Sequence, residues 1–391
     1  MLQRRIFANI AEDLTNKMVI LSGPRQCGKT TLAKRLLVKQ TGTYLNWDAA
    51  PDRLAIQKRQ LNLDSNLWVF DELHKYKRWR AFLKDIADTY NEKISILVTG
   101  SARLELFGRG GDSLQGRYFP HRLHPITYSE FCGLPFAEIN TLPELPVAPP
   151  QQKLNDLIIL GGFPEPLFSG SSRTAARWRL AYAQRILYEE ISSLSQVREI
   201  ERMELLYDRL SDIAGSIVSI NSLREDLEVA FETVRSWLTI LERLDAIFRI
   251  SPYGPPKIKS VKKEQKLYFY DWSRCPNEGA RFENLIATHL WRAIDWAADV
   301  EGERLQLRYF RHREGHEVDF VLLKEHKPWI AIKAKLSDCE LAPSLRYFVE
   351  RVQPNYAFQV VLNAKNERRL PDIGRTKVRI VSATRFLANL P

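Results

Sequence analysis

Cysteine is scarce in the chain: four among 391 residues, Cys27, Cys132, Cys275 and Cys339, with no CxxC pair. That spacing argues against a disulfide framework or a cysteine-built zinc site, and it fits a reducing, cytoplasmic setting. Long apolar runs are missing too. None approaches the roughly 20 residues that a membrane helix needs, so no membrane partner is expected. The opening stretch MLQRRIFANIAEDL has two arginines but no apolar core behind them, unlike a secretory signal. Acid is in deficit, 58 Lys+Arg against 47 Asp+Glu, for a formal net charge of +11. A surplus of that sign suits nucleic acid, acidic lipid or an acidic partner, and equally suits weak general adhesion. The rest is ordinary for a soluble protein, 45% hydrophobic and 27% charged. A chain of 391 residues is too long for one core, so two or three domains are expected.

What the sequence does contain begins with MVILS at 18–22, a buried-strand signal. It runs straight into GPRQCGKTTLAKRLL, which completes the pattern G-x-x-x-x-G-K-[ST] with Gly23, Gly28, Lys29 and Thr30. Glycines at those places let backbone N–H groups wrap a phosphate, and the following helix turns its positive end toward the same anion. The loop Gly23, Pro24, Arg25, Gln26, Cys27, Gly28, with Lys29, Thr30 and Thr31 opening the helix, is the expected ATP-binding segment. Lys29 would reach the terminal phosphates and Thr30 would hold Mg2+. Cys27 places a thiol in the loop, which would make the site sensitive to oxidation.

A nucleotide site also needs a metal carboxylate from a neighbouring strand. LWVFDELHK supplies Asp71 for Mg2+ at a strand's carboxyl end, with Glu72 beside it as general base for the attacking water. The other reading is a pair of acids capping the next helix. The strand ISILVTGS turns polar at Thr99 and Ser101, where a hydroxyl would sense the γ-phosphate between the two phosphate strands. Strands alternating with helical stretches predict a parallel sheet with its ligands at the carboxyl ends. In the glycine-rich stretch that follows, Arg117 is the better candidate for the arginine that stabilises the transferred phosphoryl group, in cis or from a neighbour, and Arg109 the weaker; both also read as exposed loop arginines.

LSGPRQCGKTTLAKRLL, YLNWD, WVFDELHK, ILVTGSARL and DSLQGRYFPHRLHPITYSEF together resemble a family of prokaryotic AAA-type P-loop ATPases with a C-terminal nuclease-like domain of unknown function. The likeness continues through GGFPEPL, YFYDW, FENLI and EVDFVL, so it covers nearly the whole chain. It implies the fold and ATP, and little about physiology.

Between 153 and 272 the pattern is helical and ends as helix, turn, helix, hairpin, a winged-helix order. Ser222 is the expected cap of a short helix LREDLE, and Thr233 starts or lies within the second. As a DNA reader the module would use Arg235, Lys257, Lys259, Lys262 and Lys263. Against this, Glu225, Asp226, Glu228 and Glu232 are acidic, while Trp237 and Leu241 look like core. From 273 the order αβββαβ fits a restriction-endonuclease-like α/β domain. Such a centre needs two or three carboxylates for Mg2+ and a nearby lysine. Glu283, Asp319 and Lys335 are present, but Lys333 stands where the next carboxylate belongs, and a cation there repels the metal. Asp338, the next acid, lies past the strand. Cleavage is therefore not expected; Glu283 and Asp319 read as members of internal ion pairs.

The expected whole is an α/β protein of three parts: a parallel-sheet P-loop AAA-type ATPase domain (1–147), a helical winged-helix-like middle (153–272) and a degenerate nuclease-like domain (273–391). It would hydrolyse ATP with Mg2+ as a homo-oligomer. Nucleic acid is a candidate partner through the basic C-terminal half, and the client is not named by the sequence. The rival reading is a nucleotide-gated switch with little turnover that binds DNA or protein.

Overall fold

The computed structural model describes all residues except 1, 39–40, 91, 101–113, 115, 142–144, 146–150, 192–198, 255–263, 338–339 and 365. Ser101, Arg109, Lys257, Lys259, Lys262, Lys263 and Asp338 thus lie outside the described residues. The chain divides into two compact units, Met1–Ile126 with Arg243–Asp245, and Thr127–Glu242 with Ala246–Pro391.

In the first unit the order is α1 (Ile6–Asp13), β1 (Met18–Ser22), α2 (Lys29–Val38), β2 (Gly42–Asn46), α3 (Ala50–Lys58), β3 (Leu67–Asp71), a 3-10 turn, α4 (Trp79–Tyr90), β4 (Ser95–Thr99) and β5 (Tyr118–Arg122). The five strands form one sheet in the order β2-β3-β4-β1-β5, and every pairing is parallel. Their sequence explains this. β1 (MVILS) and β3 (LWVFD) are buried at every position, as strands covered on both faces must be. Alternation sends Met18, Ile20, Trp68, Phe70, Ile96 and Val98 into one cluster with Trp79, Phe82, Leu83 and Ile86 of α4. At about 2 kcal/mol for each large apolar side chain buried, α4 is firmly seated, which anchors the turn that follows Asp71 and Glu72.

The second unit opens with α5 (Tyr128–Cys132), whose N-terminus is closed by a capping box between Thr127 and Glu130. Helices α6 (Gln151–Leu160), α7 (Pro164–Ser169), α8 (Ser172–Gln184), a π-helical turn and α9 (Ile200–Asp212) follow. Next come α10 (Ile220–Asp226), α11 (Phe231–Arg243) and the hairpin β6 (Ile247–Pro252) with β7 (Lys266–Phe269). The cap of α10 is Ser219, whose hydroxyl accepts from the Ser222 N–H, so Ser222 lies inside the first turn. The helix, turn, helix, hairpin order is present. Its second helix buries Val234, Trp237, Leu238, Ile240 and Leu241, and Arg235 is exposed beside Glu232 at 3.1 Å.

The remainder is α12 (Glu278–Asp299), β8 (Leu305–Arg311), β9 (Glu317–Lys324), β10 (Lys327–Ser337), α13 (Pro343–Val352), β11 (Tyr356–Asn363), β12 (Arg368–Arg369), β13 (Lys377–Ser382) and α14 (Ala383–Ala388). These strands and the hairpin make one mixed sheet, β12-β13-β11-β10-β9-β8-β6-β7. The hairpin is therefore the sheet's edge, joined through β6 and β8 at Ser251↔Arg308, and not a free wing.

Candidate functional site

The site is built where β1 gives way to α2. Gly23 has φ +139°, and a Cβ there would lie 2.2 Å from the Leu123 carbonyl oxygen, so both conformation and space demand glycine. Gly28 (φ 103°) and Gln26 (φ 60°) complete the turn, and α2 begins at Lys29 with no acid in its first turn. Its unbonded N–H groups and dipole face the loop. The Lys29 ammonium is buried in the loop, donating to the carbonyls of Gly23 (2.8 Å) and Pro24 (2.7 Å). Pro24 and Cys27 are buried, Arg25 and Gln26 half-buried, and Thr31 exposed on α2. Arg4 ties the loop down from the start of the chain, donating to the carbonyl of Cys27 (2.9 Å) and to that of His124 (2.5 Å).

The second half comes from β3. Asp71 is 3% exposed and gathers three hydroxyls. Thr30 Oγ1 (2.8 Å) and Tyr44 Oη (2.5 Å) donate to Oδ2, and Thr99 Oγ1 donates to Oδ1. Burial first, then the bond to Asp71, raises the Tyr44 phenol above its ordinary range. The strand order puts β4 between β1 and β3, so the expected neighbouring strand is one removed. The contact is made by the first turn of α2 and not by β1 itself. Glu72 has left-handed backbone (φ 56°, ψ 24°) and makes no side-chain cap, so neither acid is used to start a helix. Its carboxylate lies 3.3 Å from Lys75 Nζ, which also bonds Asp48 at 2.6 Å. Burial works against the Lys75 charge, and Asp48 and Glu72 more than reverse that.

Two expectations meet a different geometry. Arg117 precedes β5, which runs parallel to β1 with Met18↔Tyr118 and Ser22↔Arg122. It thus sits at the amino end of the sheet, one strand length from the loop, roughly 13 Å at about 3.3 Å per residue. There it forms an exposed pair with Asp88 (Nε–Oδ1 2.6 Å). Arg117 of the same chain is not brought to Lys29, Thr30 and Asp71. Cys27 is wholly buried, and burial pushes its thiol up, only partly countered by Lys29 and Arg4. A buried, protonated thiol is a poor target for oxidation.

Sequence reasoning missed Tyr44 and Arg4. Tyr44 lies on β2, and nothing local says that β2 borders β3. Arg4 finds its carbonyls 23 and 120 residues away. The donor chemistry fits a nucleotide: an ammonium and a helix N-terminus for phosphate, with hydroxyl and carboxylate oxygens 2.8 Å apart for Mg2+.

Comparison with known proteins bears on this geometry. Residues 15–132 match the family model of an AAA domain. The N-terminal segment is an AAA domain. Behind it, residues 151–275 and 278–383 match two domains of unknown function, DUF8612 and DUF4143. An uncharacterized protein of Mycobacterium tuberculosis is 26% identical over 352 residues, 83% of this chain and 75% of its own length. One of Methanocaldococcus jannaschii is 24% identical over 303 residues, 66% of this chain and 61% of its own length. Among solved structures, a signal-transduction ATPase with a tetratricopeptide-repeat sensor from Pyrococcus horikoshii overlaps at a TM-score of 0.27. It is 13% identical over 75% of this chain and 45% of that one, too slight to fix anything about this protein. Among the described residues no helix is long and apolar enough to cross a membrane.

The second unit holds another charged cluster. Asp319 on β9 is 2% exposed; Lys333 Nζ reaches its Oδ1 at 2.5 Å and the Ala334 N–H its Oδ2 at 2.8 Å. Lys266, equally buried, bridges Glu317 (2.6 Å) and Glu283 (3.3 Å), and Tyr268 donates to Glu283 at 2.8 Å. Burial alone would pull the Lys266 pKa down, but Glu283, Asp319 and Glu317 more than reverse it. Burial, then the charge of Asp319, pushes Glu283 up to about 7, against the pull of Lys266 and Tyr268.

Proposed function

We propose that the protein is an ATPase that uses Mg2+ to drive or gate action on a macromolecular client. The observation that carries the reading is the 2.8 Å contact of Thr30 with Asp71 beside a buried Lys29. Lys29 and the loop N–H groups would hold and orient the phosphates. Thr30 and Asp71 would hold Mg2+, which when bound neutralises charge on the phosphoryl oxygens. Glu72, next to Asp71, would take the proton of the attacking water. An arginine acting on the γ-phosphate would come from a second copy of the chain, with Arg117 the candidate, which makes the working form a homo-oligomer. Nucleic acid remains a candidate client through the basic C-terminal half, and Ser101 a candidate γ-phosphate contact. The chain's three-part division and cytoplasmic setting belong to the same reading.

One observation favours the slower alternative, a nucleotide-gated switch. Glu72 is paired with Lys75 at 3.3 Å, and that ion pair must open before the carboxylate can turn to a water at the phosphate.

The test is steady-state phosphate release with Mg-ATP over a range of protein concentrations, with E72Q alongside. A general base contributes about 10²–10⁴-fold, so E72Q should lose at least about a hundredfold in turnover and keep nucleotide binding. Specific activity that rises with concentration supports the trans arginine. Turnover unchanged in E72Q removes Glu72 from its role, and no release under any condition leaves the switch.

A further inference from the structure

We infer that Arg4 is a positioning residue of the nucleotide site: its guanidinium turns the Cys27–Gly28 peptide of the phosphate loop so that the Gly28 N–H faces the bound phosphates. This rests on the nucleotide reading of the loop. It adds a residue outside the G-x-x-x-x-G-K-[ST] pattern, 23 positions before the carbonyl that it holds.

In a trans peptide the carbonyl and the N–H point in opposite directions, and no cis peptide occurs among the described residues. Arg4 Nη1 donates to the Cys27 carbonyl at 2.9 Å, so the N–H of the same peptide unit, that of Gly28, points away from Arg4. Arg4 Nη2 takes the carbonyl of His124, just beyond β5. There the neighbouring Leu123 backs the loop, its N–H donating to the Ser22 carbonyl at 2.9 Å. Arg4 therefore stands behind the loop, and the Gly28 N–H is left for the anion side.

This peptide needs holding. Gly28 has φ 103°, a conformation open to glycine and costly for other residues. The plane between Cys27 and Gly28 can thus turn over with little strain, and once turned it presents a carbonyl oxygen where the phosphates need a donor. A charge-assisted bond from a guanidinium selects the competent turn. A loop that holds the competent turn only part of the time binds more weakly in proportion. The backbone around Arg4 is held by other groups. Arg35 of α2 donates to the Leu2 carbonyl at 3.2 Å and lies 5.4 Å from the centre of the Phe7 ring. Ile6, Phe7 and Ile10 of α1 are buried. Helix α1 thus keeps its own packing when the Arg4 side chain is lost, which separates an effect on the loop from an effect on folding.

The experiment uses the full chain as wild type, R4A and R4K. Titration with a fluorescent ATP analogue and Mg2+, and calorimetry with inorganic tripolyphosphate, report on the site; thermal denaturation without ligand reports on the fold. R4A should bind both ligands at least about tenfold more weakly, and equally so, because the defect lies at the phosphates, while its ligand-free melting midpoint moves little. Methylguanidinium at millimolar concentration replaces the lost group and should restore most of the affinity. R4K, whose ammonium does not span both carbonyls as the guanidinium does, should lose several-fold, and decides the matter if R4A does not fold. Wild-type affinity for tripolyphosphate in folded R4A, or in R4K where R4A is unfolded, overturns the proposal and leaves the nucleotide site standing. So does a loss in R4A that methylguanidinium leaves in place and that comes with a lower ligand-free midpoint, since Arg4 would then only support the fold. A wild-type chain that binds neither ligand removes the nucleotide reading and the role of Arg4 with it.

Discussion

Replacing Glu283 by glutamine should flatten the dependence of stability on pH between about 4.5 and about 7. Burial and the charge of Asp319 hold the native Glu283 carboxyl near 7, and in the unfolded chain it returns to about 4.5. Between those values the native state binds a proton that the unfolded state does not. Its contribution to stability is therefore complete below 4.5 and is lost as pH rises through 7. The difference of the two values, 7 − 4.5, is about 2.5 units, and at about 1.36 kcal/mol per unit it sets a ceiling near 3 kcal/mol. The side chain is 21% exposed, so screening by water reduces this to about 1–2 kcal/mol. Urea denaturation from pH 4.5 to 8, followed by circular dichroism, gives both curves. The glutamine variant loses its contacts with Lys266 and Tyr268 at every pH, so a constant offset is expected and only the slope is informative. Wild type should lose about 1–2 kcal/mol more than E283Q across the window. Parallel curves would refute the reasoning and place Glu283 as a permanently ionised partner of Lys266.

Three further outcomes follow from the nucleotide site. G23A forces a Cβ to within 2.2 Å of the Leu123 carbonyl oxygen at φ +139°; with strain of about 1–3 kcal/mol the loop must shift, and fluorescent-nucleotide titration should find affinity down more than about tenfold in a chain that still folds. Y44F removes the donor 2.5 Å from Asp71 Oδ2, a half-buried bond to a charged acceptor worth about 1 kcal/mol, so nucleotide binding should need several-fold less Mg2+; an unchanged Mg2+ titration counts against Tyr44 as a competitor for that oxygen. K75M releases Glu72 from its 3.3 Å partner and should raise phosphate release several-fold, and a fall would mean that Lys75 positions Glu72 instead of restraining it.

What could be read from sequence divides along a physical line. The phosphate loop is local: its glycines, lysine and threonine fall within eight consecutive residues, and each is dictated by the backbone that wraps an anion, so spacing alone carried it. The αβββαβ order from α12 to β11 was legible because each element's apolar period is its own property. Lys333 showed itself by occupying a position where the neighbouring pattern asks for acid. The contacts that hold Asp71 are of another kind. Tyr44 reaches it because β2 borders β3, a fact of strand order that no window of residues contains. Lys266 was overlooked because the hairpin reads as a solvent-facing wing, whereas β6 joins β8 and turns Lys266 onto two carboxylates.

The place of Arg117 at the start of β5 keeps it from the phosphate loop of its own chain. A residue that opens a strand has a fixed position, which suits an arginine meant for phosphate. But in a parallel sheet every ligand-facing end is a carboxyl end. A residue that opens a strand is therefore the one residue of that strand placed farthest from the site, and the pairing of Met18 with Tyr118 makes this concrete. The same rule, applied along β5, favours its last residue, Arg122, paired with Ser22 at the mouth of the loop. Arg122 of the same chain is thus the rival to the Arg117 of a second copy proposed above. The two differ in one measurable respect. Loss of Arg122 would lower activity equally at every protein concentration, whereas loss of Arg117 would lower it only where copies associate, and mixing R117A chains with E72Q chains would restore it.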